Sequence, residues 1–284
     1  MLKRVIVLLG ILFWSCGPEV DSILLEEFRV DKAEKLPKIS LHRGGLGIAG
    51  YPENCLETMS YFSERLEGIY EIDVSMTRDG QLVLFHDNSL DRTSTGSGAL
   101  KKFSLEELSE FYLKDEFGTV TSFKIPLFKD VLQWAKKEGV ILTVDIKRNV
   151  PLEAVLKEIR KAQAEDHSII ITYDLEQALK AYKTAPHLML SVSARNYSEL
   201  KALLESGIPT RNMIAFTGTR LSNIELYKRL KEENILSMLG TLGNLDKMAK
   251  TRGDHLYTHW LSMGINIIAT DRPLEVNRAI TENQ

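Results

Sequence analysis

The feature that most constrains the fold of this chain is an alternation of short β-branched runs with amphipathic helical patterns, which begins at Lys38. Such an alternation favours parallel strand–helix units. The runs that predict strands are Ile39–His42, Ile69–Val74, Ile141–Ile146, Ile169–Tyr173, Leu188–Val192, Met213–Phe216, Ile235–Leu239 and Ile265–Ala269. The patterns that predict helices include Leu152–Ala164, Leu175–Tyr182, Ser198–Glu205, Ile224–Glu232 and Leu245–Met263. Eight strands with helical crossovers predict an α/β fold, a closed (β/α)8 TIM-type barrel, whose catalytic residues lie at the C-terminal ends of the strands.

A doubly wound open sheet is the alternative architecture, but no glycine-rich fingerprint follows the first strand. The chain has 284 residues, a length that suits one large domain, and we predict the barrel over residues 38–284. One stretch departs from the alternation, because the turn signal Arg78-Asp79-Gly80 precedes a strand-like run at Leu82–His86 and so predicts a hairpin. Residues 88–123 then form a long excursion with a capping-box pattern at Ser104–Glu107. We interpret it as an insertion after the second strand that covers the barrel mouth.

The N-terminus has the pattern of an export signal. Lys3 and Arg4 precede an apolar run, Val5–Trp14, which is too short to span a bilayer because about 20 residues are needed. Ser15-Cys16-Gly17 follows and resembles the lipobox of bacterial lipoproteins, in which the cysteine is acylated. We therefore predict a lipoprotein signal segment at 1–16, lipidation of Cys16 and a polar tether at 17–37. Ordinary secretion and an uncleaved anchor are the alternatives.

Composition and cysteine content limit the partners and the cross-links that are expected for this chain. Lys+Arg 36 against Asp+Glu 39 gives a formal net charge of -3, which lacks the basic excess typical of a nucleic-acid partner. The chain contains two cysteines, and acylation of Cys16 would leave Cys55 alone, so no disulfide framework is expected. We expect the lipid anchor to hold the protein on a membrane, either in the periplasm or at the cell surface. The sequence leaves the oligomeric state open.

Two predicted strands carry charged residues at alternate positions. Glu71 and Asp73 are two residues apart on the second strand, where period-two geometry points both carboxylates to one side. The alternate residues around them are apolar and suit the helix-facing side, so the acids face the lumen. Asp145 and Lys147 repeat this arrangement on the next parallel strand. Three carboxylates in a low-dielectric lumen predict a site for a hard divalent cation, Mg²⁺ or Ca²⁺, although a single such pair would equally suit a structural ion pair.

Histidines follow the first strand and the hairpin strand. His42 closes the first predicted strand and His86 closes the hairpin strand, whereas the other four histidines lie away from strand ends. Imidazole titrates near neutral pH, so two histidines converging on one site suit general acid and base catalysis.

The order of these motifs resembles the glycerophosphodiester phosphodiesterase family. The resemblance is carried by His42-Arg43-Gly44, Tyr51-Pro52-Glu53-Asn54, Glu71-Ile72-Asp73-Val74, Thr77-Arg78-Asp79-Gly80, His86-Asp87, Leu90-Asp91-Arg92-Thr93 with Gly96 and Gly98, and Thr270-Asp271-Arg272-Pro273. It implies that Glu71, Asp73 and Asp145 ligate the metal and that His42 and His86 are the catalytic acid–base pair. It also implies that Arg43 and Lys147 contact the phosphate of the substrate.

The same resemblance implies supporting roles. Glu53 and Asn54 would order the site, Asp87 would orient His86 or cap the insertion, and Asp271 would lie behind the catalytic groups; the last two also suit structural roles. Two positions depart from the family pattern. Asp145 stands where the family usually has Glu. An Asp at this position, with Lys147 two residues later, is also similar to the sphingomyelinase D-type phospholipases. The seventh strand reads Met238-Leu239-Gly240-Thr241 where many members carry Trp-Thr.

The resemblance implies metal-dependent hydrolysis of a small-molecule glycerophosphodiester to glycerol 3-phosphate and an alcohol. Two alternatives stay open at this stage. One is a phospholipase D-like or sphingomyelinase D-like phosphodiesterase that acts on lipids, and the other is a lipid-anchored binding protein without catalysis.

Overall fold

The computed structural model of the protein describes residues 23–282. The described helices and strands, in chain order, are α1 Ile23–Glu27, β1 Ile39–Leu41, α2 Leu56–Ser63, β2 Ile69–Met76, β3 Leu82–Leu84, α3 Leu105–Leu108, α4 Phe128–Glu138, β4 Ile141–Ile146, α5 Leu152–Ala162, β5 Ser168–Thr172, α6 Leu175–Thr184, β6 Met189–Ser193, α7 Tyr197–Leu204, β7 Met213–Phe216, α8 Ile224–Glu232, β8 Leu236–Gly240, α9 Asn244–Arg252, α10 His255–Ser262, β9 Ile267–Thr270 and α11 Pro273–Thr281. Short 3-10 turns connect several of them, including one at His42–Gly44 directly after β1.

Eight parallel strands close into a barrel. The strand order runs from β1 through β9, β8, β7, β6, β5 and β4 to β2, and β1 pairs with β2 to complete the ring. All eight predicted strands are confirmed, with boundaries shifted by at most two residues. The remaining strand, β3, pairs antiparallel with β2, as the Asp-Gly turn signal predicted. The predicted (β/α)8 barrel is therefore correct.

Two layers of apolar packing hold the barrel together. Residues such as Ile72 and Val74 point outward and are completely buried against the helices, and Tyr70 meets Trp134 of α4 edge to face with ring centroids 5.4 Å apart. A second cluster fills the lumen near the N-terminal ends of the strands, with Ile69 among its members. The barrel interior is thus a packed core below the site at its mouth.

The segment before β1 belongs to this second cluster. Leu24, Leu25 and Phe28 are buried among the strand residues at the N-terminal end of the barrel, and the backbone N–H of Ile23 donates to Asp166 Oδ1 at 2.5 Å. From Ile23 onward, the segment predicted as a tether packs against the barrel, because its apolar side chains are buried in the opening below the strands. The signal segment, Cys16 and the first residues of the tether lie outside the described residues.

The predicted helix Leu245–Met263 is wrong as a single element. It consists of α9 and α10, which are separated at Gly253. The backbone of Gly253 has φ +116°, a conformation that residues with a side chain rarely adopt. The other predicted helices are confirmed with small boundary changes. Within residues 23–282, no helix combines the length and the hydrophobicity that a membrane crossing needs.

The excursion after β3 packs as a satellite layer over the loop that follows β1. Its apolar residues form a separate cluster with Cys55, a buried free thiol whose pKa burial raises to about 12. Asp115 accepts a hydrogen bond from the backbone N–H of Gly50 at 2.8 Å, and Glu116 accepts one from Gly47 at 2.7 Å. The predicted capping box at Ser104–Glu107 is present. These contacts fix the β1–α2 loop at the barrel mouth.

Candidate active site

Three carboxylates converge inside the barrel mouth. The parallel register of β2 and β4 places Asp73 directly beside Asp145, and Glu71 lies one period-two step before Asp73 on the same face. One oxygen from each of the three side chains lies within 4.8 Å of the others. Asp73 and Asp145 are buried, with 1% and 5% exposure. The predicted inward direction of all three acids is what the structure shows.

Charge in this cluster is incompletely balanced. The ammonium of Lys147 contacts both Asp73 and Asp145, the latter at 2.7 Å. Burial works against ionisation of Asp73, but Lys147 outweighs it and holds the pKa of Asp73 below its usual value. Burial and the neighbouring Asp73 raise the pKa of Glu71 well above its usual value. One ammonium facing three carboxylates leaves room for a hard cation, and an all-oxygen donor set suits Mg²⁺ or Ca²⁺, so these residues fit a divalent metal.

Arg43 links the carboxylates to one histidine. Its left-handed backbone, φ 53°, turns its N–H toward Glu71 Oε2 at 2.6 Å. Its guanidinium donates to Glu53 at 3.1 Å and lies 2.9 Å from His86 Nε2. Its buried Nε has no hydrogen-bond partner within the described residues. Arg43 thereby joins the carboxylate cluster, Glu53 and His86 through its backbone and its side chain.

Glu53 and Asn54 form hydrogen bonds with other residues of this site. Glu53 is 6% exposed and also accepts hydrogen bonds from both terminal nitrogens of Arg92, each at 2.8 Å. Asn54 donates to Asp73 Oδ2 at 2.6 Å and accepts from the Asp73 backbone N–H at 2.9 Å. The Asn54 side chain thereby fixes the carboxylate of Asp73 in the orientation that faces Asp145.

Each candidate histidine is backed by a carboxylate. His42 Nδ1 lies 2.6 Å from Asp271 Oδ1, and His86 Nδ1 lies 2.6 Å from Asp87 Oδ1. Carboxylates only accept, so each Nδ1 carries the hydrogen and Nε2 is left for proton transfer. The contact with Arg43 agrees with this tautomer of His86, because a guanidinium only donates.

Asp87 is itself held by Arg92. The Arg92 guanidinium donates to Asp87 at 2.6 and 2.9 Å and, with His86, keeps the pKa of Asp87 below its usual range. Arg92 bridges Asp87 and Glu53, so the insertion contributes directly to the positions of His86 and Arg43. Sequence reasoning included Arg92 in a motif but assigned it no role.

A buried carboxylate that sequence reasoning missed lies behind His42. Asp246 is 4% exposed and accepts hydrogen bonds from the Tyr257 hydroxyl, the Thr270 hydroxyl and the backbone N–H of Asp271, at 2.8–2.9 Å. These bonds fix the turn after β9, from which Asp271 reaches His42. Asp246 stands in the first turn of α9, where an acidic residue is usually exposed, so the sequence held no signal of this role.

The acids and the histidines line one cavity of about 280 Å³ at the barrel mouth. Lys147 also lines it, together with apolar side chains such as Ile171, Phe216, Met238 and Leu242 and several serine and threonine hydroxyls. Met238 occupies the seventh-strand region that departs from the family pattern. Tyr173 also lines the cavity, and burial together with the negative charge of Asp145 raises the pKa of its hydroxyl. The cavity can hold a phosphate beside two imidazoles.

Comparison with known proteins adds a family context. The sequence profile of the Glycerophosphoryl diester phosphodiesterase family matches residues 42–274. A curated glycerophosphodiester phosphodiesterase from Caldanaerobacter subterraneus subsp. tengcongensis is 29% identical over 157 residues, which cover 53% of this chain and 64% of that protein. The match thus spans less than two thirds of that relative.

Solved structures match over a larger share of the chain. The crystal structure of a glycerophosphoryl diester phosphodiesterase from Parabacteroides distasonis superposes with a TM-score of 0.81 at 32% identity, over 89% of this chain and 92% of that one. A phosphodiesterase from Oleispira antarctica, solved in complex with the product sn-glycerol-3-phosphate, has a TM-score of 0.66 at 20% identity, over 87% of this chain and 98% of that one. The second similarity shows a shared fold.

Proposed function

The chain belongs to the glycerophosphoryl diester phosphodiesterase family, and we propose that it hydrolyses glycerophosphodiesters to glycerol 3-phosphate and an alcohol with a divalent cation. The observation that carries the proposal is the convergence of three carboxylates, two carboxylate-backed histidines and the ammonium of Lys147 on one cavity, with the guanidinium of Arg43 against His86. Glycerol 3-phosphate bound to the Oleispira relative, which shares the fold, supports the identity of the product.

The three carboxylates are the residues that would hold the cation. Glu71, Asp73 and Asp145 would ligate Mg²⁺ or Ca²⁺, which when bound supplies polarisation of a phosphoryl oxygen and neutralisation of developing charge. Asp145 is one methylene shorter than the Glu that the family usually has at this position. Lys147 would remain beside Asp73 and Asp145 and offer its ammonium to the phosphate.

The histidines carry the protons of the reaction. One imidazole Nε2 removes the proton from the nucleophile, water or the 2-hydroxyl of the glycerol, as the new P–O bond forms. The other donates a proton to the alcohol oxygen as the old P–O bond breaks. When the 2-hydroxyl is the nucleophile, this step leaves a cyclic phosphate, and water then opens the ring to glycerol 3-phosphate while the two imidazoles exchange roles. Asp271 and Asp87 hold the two rings and stabilise the imidazolium that forms on each. The guanidinium of Arg43, which contacts His86, supports the proposal by adding a positive charge beside the acid–base pair.

A panel of diesters tests this proposal. The full chain is assayed with glycerophosphocholine, lysophosphatidylcholine and sphingomyelin, in Mg²⁺, in Ca²⁺ and in chelator. We expect release of glycerol 3-phosphate from glycerophosphocholine only with metal. Turnover confined to the lipids would indicate the phospholipase D-like alternative, and absence of turnover on every diester would indicate a binding protein.

We further propose that the protein is an exported lipoprotein anchored through Cys16. The basic, apolar and Ser15-Cys16-Gly17 segments at the N-terminus support this. Metabolic labelling with a clickable palmitate in a bacterial host tests it, with Cys16→Ser as the matched variant. Equal labelling of both proteins would refute the anchor, as would absence of label from the unsubstituted chain.

A further inference from the structure

A second cavity, of about 800 Å³, adjoins the catalytic cavity. The residues that line both are Asp145, Lys147, Ile171, Thr172 and Tyr173. We call this second cavity the β4–β5 groove; its other walls come from the loops after β4 and β5 and the beginnings of α5 and α6. Because Asp145 and Lys147 stand on the shared border, a phosphate beside them has access to both spaces.

Tyr173 lines both cavities. Its backbone N–H donates to Gln177 Oε1 at 3.0 Å, and its side chain is 55% exposed. The aromatic ring therefore offers a ligand an accessible surface on the border between the two cavities.

Most of the charged side chains that line the groove have a partner. Lys147 faces Asp73 and Asp145, and Lys180 forms an ion pair with Glu153 at 3.2 Å. Asp174 is used as the N-cap of α6, where it accepts from Gln177 N at 2.8 Å.

Arg148 differs from these charged residues. It lines the groove and is exposed, and no hydrogen bond or ion pair ties it to any other residue between 23 and 282. Its guanidinium therefore adds an uncompensated positive charge, with donors in a fork that matches a carboxylate or a phosphate.

The two halves of a phosphodiester extend from the phosphorus in different directions. The catalytic cavity is the smaller space and carries the histidines and hydroxyl side chains such as Ser191 and Ser193, so it suits the compact glycerol half. The β4–β5 groove is larger and is lined by both apolar and charged side chains, Arg148 among them, so it suits the alcohol that varies between substrates.

We propose, on the basis of the hydrolase function above, that the β4–β5 groove is the head-group site of the enzyme and that Arg148 selects head groups bearing an anionic group. The chemical class is a glycerophosphodiester whose alcohol carries a carboxylate or a phosphate. Arg148 directly follows Lys147, the residue that the family resemblance assigns to the phosphate, yet it has no part in the reaction itself.

Glycerophosphoserine and glycerophosphoethanolamine provide a matched pair of substrates, because they differ by one carboxylate. The measured quantity is the ratio of kcat/KM for the serine diester to that for the ethanolamine diester. Loss of a charge-assisted hydrogen bond corresponds to about a tenfold change, so Arg148→Ala should lower this ratio about tenfold. Arg148→Lys, which keeps the charge but loses the fork, should lower it less.

Arg220→Ala is the control. Arg220 is an exposed arginine after β7 that lines a different cavity at the mouth. Its substitution should leave the ratio as it is in the unsubstituted enzyme. A ratio unchanged by Arg148→Ala, or lowered equally by Arg220→Ala, would overturn the head-group site while the hydrolase function stands. Absence of turnover of both diesters by the unsubstituted enzyme would instead overturn the function and the head-group site together.

Discussion

Substitution of Asp246 tests whether a carboxylate outside the catalytic cavity positions His42. Asp246→Ala removes the acceptor of three hydrogens, on the Tyr257 hydroxyl, the Thr270 hydroxyl and the Asp271 backbone. A buried donor left without a partner costs roughly 1–3 kcal/mol. Both hydroxyls can rotate to other acceptors, whereas the Asp271 N–H cannot, so the expected loss is about 3 kcal/mol in the free energy of unfolding.

Urea denaturation measures this loss directly, and a change of that size lowers the Tm of a chain of this length by roughly 6–12 °C. Asp246→Asn keeps one acceptor oxygen for the Asp271 N–H, so it should be the milder change. Asn212→Ala is the control, because the Asn212 side chain is buried at the opposite end of the barrel and donates to Pro186 O and Leu188 O at 2.8 and 2.9 Å. It should reduce stability and leave kcat unaffected.

Asp246 is connected to His42 through Asp271. Asp246 holds the Asp271 backbone, and the Asp271 carboxylate holds His42 Nδ1 at 2.6 Å. Asp246→Asn should therefore lower kcat about tenfold with little change in KM, the pattern of an interaction that acts in the transition state. In a double-mutant cycle with Asp271→Asn, the second substitution should add little. Independent, multiplicative effects of the two substitutions would refute the reasoning.

Four further predictions follow from the site and the packing. Chelation should abolish turnover, and added Mg²⁺ or Ca²⁺ should restore it in a direct assay of glycerol 3-phosphate; full activity in chelator would contradict the metal site. His42→Ala and His86→Ala should each lower kcat by about 10²–10⁴ with unchanged circular dichroism, and near-normal turnover of either variant would remove that residue from the mechanism. Phe28→Ala should cost about 3–5 kcal/mol in urea denaturation because this ring is buried under the barrel, whereas Phe117→Ala, at a 64% exposed residue, should cost almost nothing. The pKa of Asp87 is lowered in the fold by Arg92 and His86, so its ionisation stabilises the native state above the unfolded pKa of about 4 and this contribution is lost as pH falls; Asp87→Asn should flatten the loss of stability below about pH 4, and an unchanged acid profile would show that the pairing is energetically silent.

The sequence was sufficient for the barrel and for the centre of the site because both depend on local periodicity. A strand repeats every two residues, so the apolar neighbours of Glu71 and Asp73 determined which way the acids point, and the same pattern on β4 placed Asp145. Eight runs of this kind leave few ways to bury their faces except a closed barrel with helices outside. The ordered motifs around His42 and His86 then located the ends of the relevant strands.

Tertiary structure decided what depends on residues far apart in the chain. Asp246 has the sequence context of an exposed helix start, and only the packing of α9 against the turn after β9 buries it beside Asp271. Phe28 lies in a polar stretch, and its burial required the opening under the barrel that eight separate strands create. The lack of an ion-pair partner for Arg148 among residues 23–282 depends on where the fold places the carboxylates around the groove. Side-chain period is a property of adjacent residues, whereas burial and charge pairing are properties of the assembled surface, and that is why the sequence alone determined the first and the fold determined the others.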